Sequence, residues 1–327
     1  MIRFAIIGTN FITERLLDAS KHVAQFKLTT VYSRHQHTAT EFAAKHQAEY
    51  TYTNFNALCQ SPHFDAVYIA SPTSFHAPQA IALMNAGKHV LVEKPAASNA
   101  IEFQAMATTA AENNVTLMEA MMPTMTPAFT KIKEFLPQIG PIRQFISQYC
   151  QYSSRYDKFK QGERPNAFNP EFSNGALMDI GIYPLASAVH LLGVPDDIVA
   201  KGTLLETGVD GCGQLLLQYQ HCQASIIYSK VNDGSHLTEI LGENGRIEVD
   251  FIAQPRAIRF AHRNEEMVQL DVGTLKPTMS YELTHFIALI LKRHNESTIN
   301  TWQRSETTLR LIDQSRKQLG VHYPADV

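Results

Sequence analysis

The run His89-Val90-Leu91-Val92-Glu93-Lys94-Pro95 sets an acid and a lysine directly after a β-prone stretch. It reads as a buried parallel strand with a charged pair at its C-terminal tip. Pro95 cannot donate to a ladder and ends it. In open α/β sheets ligands gather at such tips, so Lys94 is expected to offer its ammonium to a reacting oxygen. A second constellation is Asn174-Gly175-Ala176-Leu177-Met178-Asp179-Ile180-Gly181-Ile182-Tyr183-Pro184. It opens a helical run in which Asp179 and Tyr183, four apart, share one face, with His190 near the same face. Pro184 removes a helix hydrogen bond and bends the run, turning Tyr183 toward a cleft. The bland alternatives are a strand ending at a surface salt bridge, and a surface acid beside a half-buried tyrosine.

Three further segments could hold a dinucleotide. The first strand ends in Gly8-Thr9-Asn10-Phe11-Ile12-Thr13 and a helix follows. The spacing matches the dinucleotide fingerprint with only its first glycine. Gly8 makes the tight turn, and Asn10 stands for the second glycine. Asparagine tolerates a left-handed backbone but leaves less room for a diphosphate. The helix N-terminus can hold a phosphate. The second strand ends in Tyr32-Ser33-Arg34-His35, without the acid that usually meets a ribose diol. The hydroxyl of Ser33 and the guanidinium of Arg34 suit a 2′-phosphate, so NADP is the expected cofactor, with NAD as the alternative. Another tip reads Ala70-Ser71-Pro72-Thr73-Ser74-Phe75-His76, a turn into a helix that Ser74 could cap.

The elements that position these residues follow two grammars. From residue 1 to about 120, strands at Phe4–Ile7, Leu28–Tyr32, Ala66–Ile69, Val90–Val92 and Thr116–Met118 alternate with helices at Phe11–Ser20, Thr38–Lys45, Phe75–Asn85 and Ala100–Asn113. That alternation predicts an α/β Rossmann domain, 1–121, with a parallel, doubly wound sheet. Residues 122–327 bring a cluster of longer strands between helices, a hairpin signal at Asn244-Gly245, and two late helices. They predict an α+β domain with a large, mostly antiparallel open sheet.

Bulk properties exclude several classes. A net charge of -3 gives no argument for nucleic acid or anionic membrane partners. No run of about 18 apolar residues is read in the chain, so no membrane-spanning helix is expected. Four scattered cysteines read as free thiols of a cytoplasmic protein, and 14 histidines show no metal-ligand spacing, so no metal is expected.

Taken in order, Gly8-Thr9, Ser71-Pro72 with His76, Gly87-Lys88-His89 through Glu93-Lys94-Pro95, and Gly175 through Asp179, Tyr183 and Pro184 resemble the Gfo/Idh/MocA oxidoreductases. Tyrosine at 183, where many members carry histidine, is similar to the glucose-fructose oxidoreductase and dimeric dihydrodiol dehydrogenase branch. The resemblance implies a dehydrogenase acting on a sugar, polyol or vicinal diol, with Lys94 and Tyr183 as the acid/base pair and Asp179 beside them. It places Ser71, Pro72, His76, Glu93 and Lys94 around the nicotinamide, with Thr73 in the same loop. It implies a homodimer joined through the open sheet face. Thr124 stands where the family often carries arginine. Thr124, Tyr156, Arg164 and Phe168 are candidate pocket residues by position. The alternative of another class is an NADP-binding sensor of the same fold, which would need no proton-transfer pair.

Overall fold

In the computed structural model, which describes residues 1–326, the strands of the first sheet are β1 (Ile2–Ile7), β2 (Phe26–Tyr32), β3 (Tyr50–Tyr52), β4 (Ala66–Ile69), β5 (His89–Glu93) and β6 (Leu117–Ala120). All pairs are parallel, in the order β3-β2-β1-β4-β5-β6. The order reverses between β1 and β4, where such sheets open a crevice for ligands. Every residue of β4 is buried, and so are Val90 to Glu93 of β5, as expected for central strands covered on both faces. Helices α1 (Phe11–Ser20), α2 (Gln36–His46), α3 (Phe55–Cys59), α4 (His76–Asn85) and α5 (Ala100–Glu112) connect the strands. Strand β3 and helix α3 escaped the sequence reading; the three-residue strand Tyr-Thr-Tyr is too short to show a pattern.

By contacts, this first compact unit is Met1–Met121 together with Lys276–Ser305. The returning segment brings α9 (Thr278–Leu291) against α1. The second unit is Met122–Leu275 and the chain from Glu306. Its helices are α6 (Pro127–Phe135), α7 (Tyr156–Lys160), α8 (Ile182–Leu192) and most of α10 (Trp302–Leu319).

The second unit holds an eight-stranded sheet built from β7 (Ile142–Cys150), β8 (Asp197–Leu204), β9 (Asp210–Gln218), β10 (Gln223–Ser229), β11 (Thr238–Gly242), β12 (Gly245–Val249), β13 (Ile258–His262) and β14 (Val268–Gln269). Only β7 and β10 pair in parallel; the rest are antiparallel. Residues alternate sharply on β9, with Leu215 and Leu217 buried and Leu216 47% exposed. One sheet face is therefore packed and the other open.

Three expectations need correction. The hairpin between β11 and β12 forms, but it turns on Glu243-Asn244, and neither Asn244 nor Gly245 has a positive φ. Gly245 is instead required by close approach, since a Cβ there would press on the Ala261 carbonyl of β13. Ser74 caps nothing: Thr73–Phe75 is a 3₁₀ turn running into α4, with no side-chain cap. The stretch Pro170–Leu192 is long and apolar enough to cross a membrane, but it is mostly buried inside the protein, as in a core helix.

Candidate functional site

In the first unit Gly8 sits at φ +99, and a Cβ there would lie 2.5 Å from the Ala70 carbonyl oxygen. Glycine is therefore forced by backbone, where β1 and β4 run side by side at the switch point. Asn10 departs from expectation. Its φ of -93 is extended, so no left-handed tolerance is needed. Its side chain caps α1 instead. Oδ1 accepts from the amides of Ile12 and Thr13 at 3.1 and 3.3 Å, and Nδ2 donates to the Ala70 carbonyl at 2.8 Å. Asparagine at an N-cap satisfies orphan helix donors, and here it also ties the β1 loop to the β4 loop. The amide of Ile12, a sequence candidate for the cofactor, is thus already taken. Thr9 is half-buried and Phe11 is 64% exposed. Thr13 is buried and donates to the Gly8 carbonyl at 2.8 Å.

At the tip of β2, Ser33 is half-buried and Arg34 is exposed, with no acidic residue from 33 to 40. That donor set fits the extra phosphate of NADP better than a bare ribose diol. Beyond β4, Ser71 donates to Gln79 at 2.7 Å, while Pro72 leads into the buried Thr73.

The loop after β5 is held by side chains from three elements. The Lys94 amide donates to Glu93 Oε2 at 3.2 Å. The Pro95 carbonyl lies 2.8 Å from His76 Nδ1. The Ala96 amide donates to Glu119 Oε1 at 3.0 Å. The Lys94–Pro95 bond is cis. Glu93 also accepts from the Tyr68 hydroxyl at 2.5 Å, and Glu119 from Ser305 at 2.6 Å. Burial pushes both carboxyl groups upward, against these hydrogen bonds and the Lys94 charge. His76 is buried, with Nε2 2.8 Å from the Ser71 carbonyl, so both its nitrogens face backbone carbonyls. It joins the β4 and β5 loops. Tyr68 and Glu119 were not singled out from the sequence; the only signal is an acid inside the apolar strand Leu117–Ala120.

In the second unit Asp179 lies in a π-helical turn, Leu177–Gly181, that feeds α8. The Ile182 amide reaches back five residues to Leu177. Pro184 lacks the amide that would bond Ile180, and a π turn at a proline is a recognised way to bend a helix. The turn is anchored at its start by Asp210 of β9, fully buried, whose Oδ2 accepts from the Leu177 amide at 2.7 Å. Gly175, at φ +155, leaves room for that carboxylate. Burial raises the Asp210 pKa, opposed first by the Leu177 amide.

Asp179 Oδ2 is paired with the ammonium of Lys230, which follows β10. The Lys230 side chain is 5% exposed and that of Asp179 37%. The ammonium also lies over the Phe168 ring, 5.2 Å from its centroid, a cation–π arrangement. Tyr156 at the start of α7 packs edge-on against Phe168 at 5.7 Å. Tyr183, 7% exposed, has its ring 6.0 Å from that of Tyr149. Thr124 is buried in the turn Met122–Met125, and Arg164 stands exposed on the loop after α7. Of the candidate pocket residues, Phe168 and Tyr156 are thus brought to the Asp179 cluster and Arg164 is not. Lys230 escaped the sequence reading, although it ends an apolar strand much as Lys94 does.

This fold and these motifs define a nicotinamide-dependent oxidoreductase architecture. The model of an oxidoreductase family with NAD-binding Rossmann fold, Gfo/Idh/MocA, matches residues 2–121, and that of the Gfo/Idh/MocA C-terminal domain matches 130–248. The chain belongs to the Gfo/Idh/MocA oxidoreductase family. The scyllo-inositol 2-dehydrogenase (NADP(+)) IolU of Bacillus subtilis is 47% identical over 326 residues, covering 100% of this chain and 99% of the relative. A trans-1,2-dihydrobenzene-1,2-diol dehydrogenase of Xenopus tropicalis is 29% identical over 312 residues, 91% of each chain. Among solved structures, the 3-ketoreductase KijD10 of Actinomadura kijaniata, in complex with TDP-benzene and NADP, superposes with a TM-score of 0.83. It is 23% identical and covers 98% of this chain and 99% of that one, a likeness of fold.

Proposed function

We propose that the protein is an NADP-dependent dehydrogenase that oxidises a carbinol of a cyclic polyol, sugar or vicinal diol. The observation that carries this reading is the charged Asp179–Lys230 pair one turn before Tyr183, in a chain 47% identical to a scyllo-inositol 2-dehydrogenase. The cofactor, when bound, accepts or returns the hydride. Ser33 and Arg34 hold its 2′-phosphate. Gly8, Thr9, Asn10, Phe11 and Ile12 line its diphosphate. Ser71, Pro72, Thr73, His76, Glu93 and Lys94 border its nicotinamide end.

Tyr183 takes the hydroxyl proton as the carbonyl forms and returns it in the reverse direction. A tyrosine is a poor base near neutrality unless a cation steadies its phenolate, and Lys94 is assigned that part. Asp179 orients a substrate hydroxyl. Cofactor binding is assigned to residues 1–121, and substrate binding and association to 122–327, with Thr124, Tyr156, Arg164 and Phe168 as further pocket residues. Val199 and Leu216, cross-strand partners left exposed on the open sheet face, support a dimer through that face. The four unpaired cysteines support a cytoplasmic setting.

Fluorescence titration with NADPH and NADH, followed by a 340 nm assay with scyllo-inositol, other cyclic polyols and vicinal diols, tests the reading. Tighter NADPH binding and NADP-dependent turnover are expected. Tighter NADH binding removes the 2′-phosphate assignment. Absence of turnover with every polyol and diol removes the dehydrogenase.

A further inference from the structure

Lys230 is buried further than a lysine normally tolerates. Its ammonium has three donors. Asp179 takes one, and no other protein acceptor lies within hydrogen-bond reach among the described residues. The Phe168 ring supports the charge from one side but accepts no conventional hydrogen bond. Asp210, nearby and fully buried, spends Oδ2 on the Leu177 amide.

A merely structural ion pair explains this poorly. Buried donors are nearly always met, and a hydrophobic pair of similar volume would hold the turn as well or better. The exposures differ in a telling way. The Asp179 side chain is 37% exposed, while the Lys230 side chain beside it is only 5% exposed. A hydroxyl group is donor and acceptor at once. It can donate to Asp179 while accepting from Lys230, closing a small ring of charge-assisted hydrogen bonds.

We infer that Lys230 is a substrate-contacting residue: with Asp179 it forms a donor–acceptor fork that grips a hydroxyl neighbouring the carbinol to be oxidised. The fork selects polyhydroxylated rings over substrates whose remaining surface is apolar. The inference rests on the dehydrogenase reading above and deepens it.

The test uses NADP-saturated wild-type protein, Lys230→Met and Lys230→Arg, with scyllo-inositol as the probe. Methionine keeps the stem length over Phe168 and removes the donors. Its KM for scyllo-inositol should rise roughly 10- to 100-fold, the equivalent of one hydrogen bond to a charged donor. Its kcat should fall much less, and NADPH affinity should hold. Lys230→Arg keeps a cation beside Asp179 and should recover part of the KM. A kcat loss at unchanged KM would overturn the inference, because Lys230 would then act only by fixing Asp179. Should Lys230→Met fail to fold, Lys230→Gln carries the same expected rise in KM and the same refutation. Wild-type protein inert toward scyllo-inositol and all other polyols refutes the dehydrogenase reading itself, and the fork with it. Equal KM in wild type and variant refutes the fork alone.

Discussion

His76 is caught between two demands, and the winner can be read in the pH dependence of stability. The ring is 1% exposed, and both nitrogens lie 2.8 Å from backbone carbonyl oxygens, of Pro95 and Ser71. A neutral imidazole has one N–H, so only an imidazolium could donate to both. Burial opposes that charge and prevails. The pKa falls from 6.5 to about 4, with the two carbonyls pulling upward and the Lys94 charge adding to the fall. The unfolded chain therefore binds this proton near 6.5 and the folded chain near 4. Between those values the unfolded state holds more protons, so stability rises with pH. The penalty is almost absent above the upper value and grows as pH falls, reaching about 3 kcal/mol below the lower one.

His76→Gln deletes the titration. Between neutrality and about pH 4.5 the wild-type protein should lose about 2 kcal/mol more than the variant does through this group. Urea unfolding followed by the single tryptophan, Trp302, reads the first unit, to which both residues belong. The gap between wild type and variant should shrink on acidification by that amount. A gap that stays constant would show that burial does not hold the ring neutral. A gap that widens would show that the two carbonyls win and keep an imidazolium.

Gly8→Ala combines a positive φ with a methyl 2.5 Å from the Ala70 carbonyl. It should lower stability by about 2–4 kcal/mol and abolish NADPH binding, both measurable by thermal melting with and without cofactor. Arg34→Glu should turn the preference from NADPH toward NADH by at least about tenfold in the Kd ratio, checked by fluorescence titration. Tyr183→Phe should lose roughly 10²- to 10⁴-fold in kcat and keep NADPH affinity, and Lys94→Met should abolish turnover with the fold intact. A kcat within about twofold of wild type in either variant removes that residue from the chemistry.

The parallel sheet was legible because each of its long strands is an apolar run bounded by turn residues, and Gly8 because only a tight strand-to-helix turn explains it there. The place of Lys94 directly after β5 was legible from a lysine beside a strand-ending proline. Asn10 was legible in place but not in conformation. Its type allows a left-handed backbone, while the Ala70 carbonyl and the amides of α1 give its side chain better partners in an extended one. Glu119, Asp210 and Lys230 were illegible because their partners are remote in sequence. Glu119 meets Ser305, Asp210 meets Leu177, and Lys230 meets Asp179. Strand register decides such meetings, and no periodicity records it. The return of α9 to the first sheet was hidden for the same reason: its apolar face says that it is buried, not against what.

The two halves rely on one device. Beside Lys94, buried Glu119 accepts from a loop amide; before Asp179, buried Asp210 accepts from the first amide of the π turn. In each, a carboxylate removed from water fixes backbone next to a side chain proposed to do chemistry. Burial alone drives such groups toward the neutral acid. Backbone amides and nearby ammonium groups, Lys94 in one case and Lys230 in the other, draw them back toward the carboxylate. The lysine proposed to react and the acid that fixes its loop are thus electrostatically coupled. Glu119→Gln removes a titrating group whose carboxylate form Lys94 favours, so it should alter the pH profile of turnover, not merely its height. A profile of unchanged shape in that variant would show that Glu119 serves only as a hydrogen-bond acceptor, which glutamine can also be.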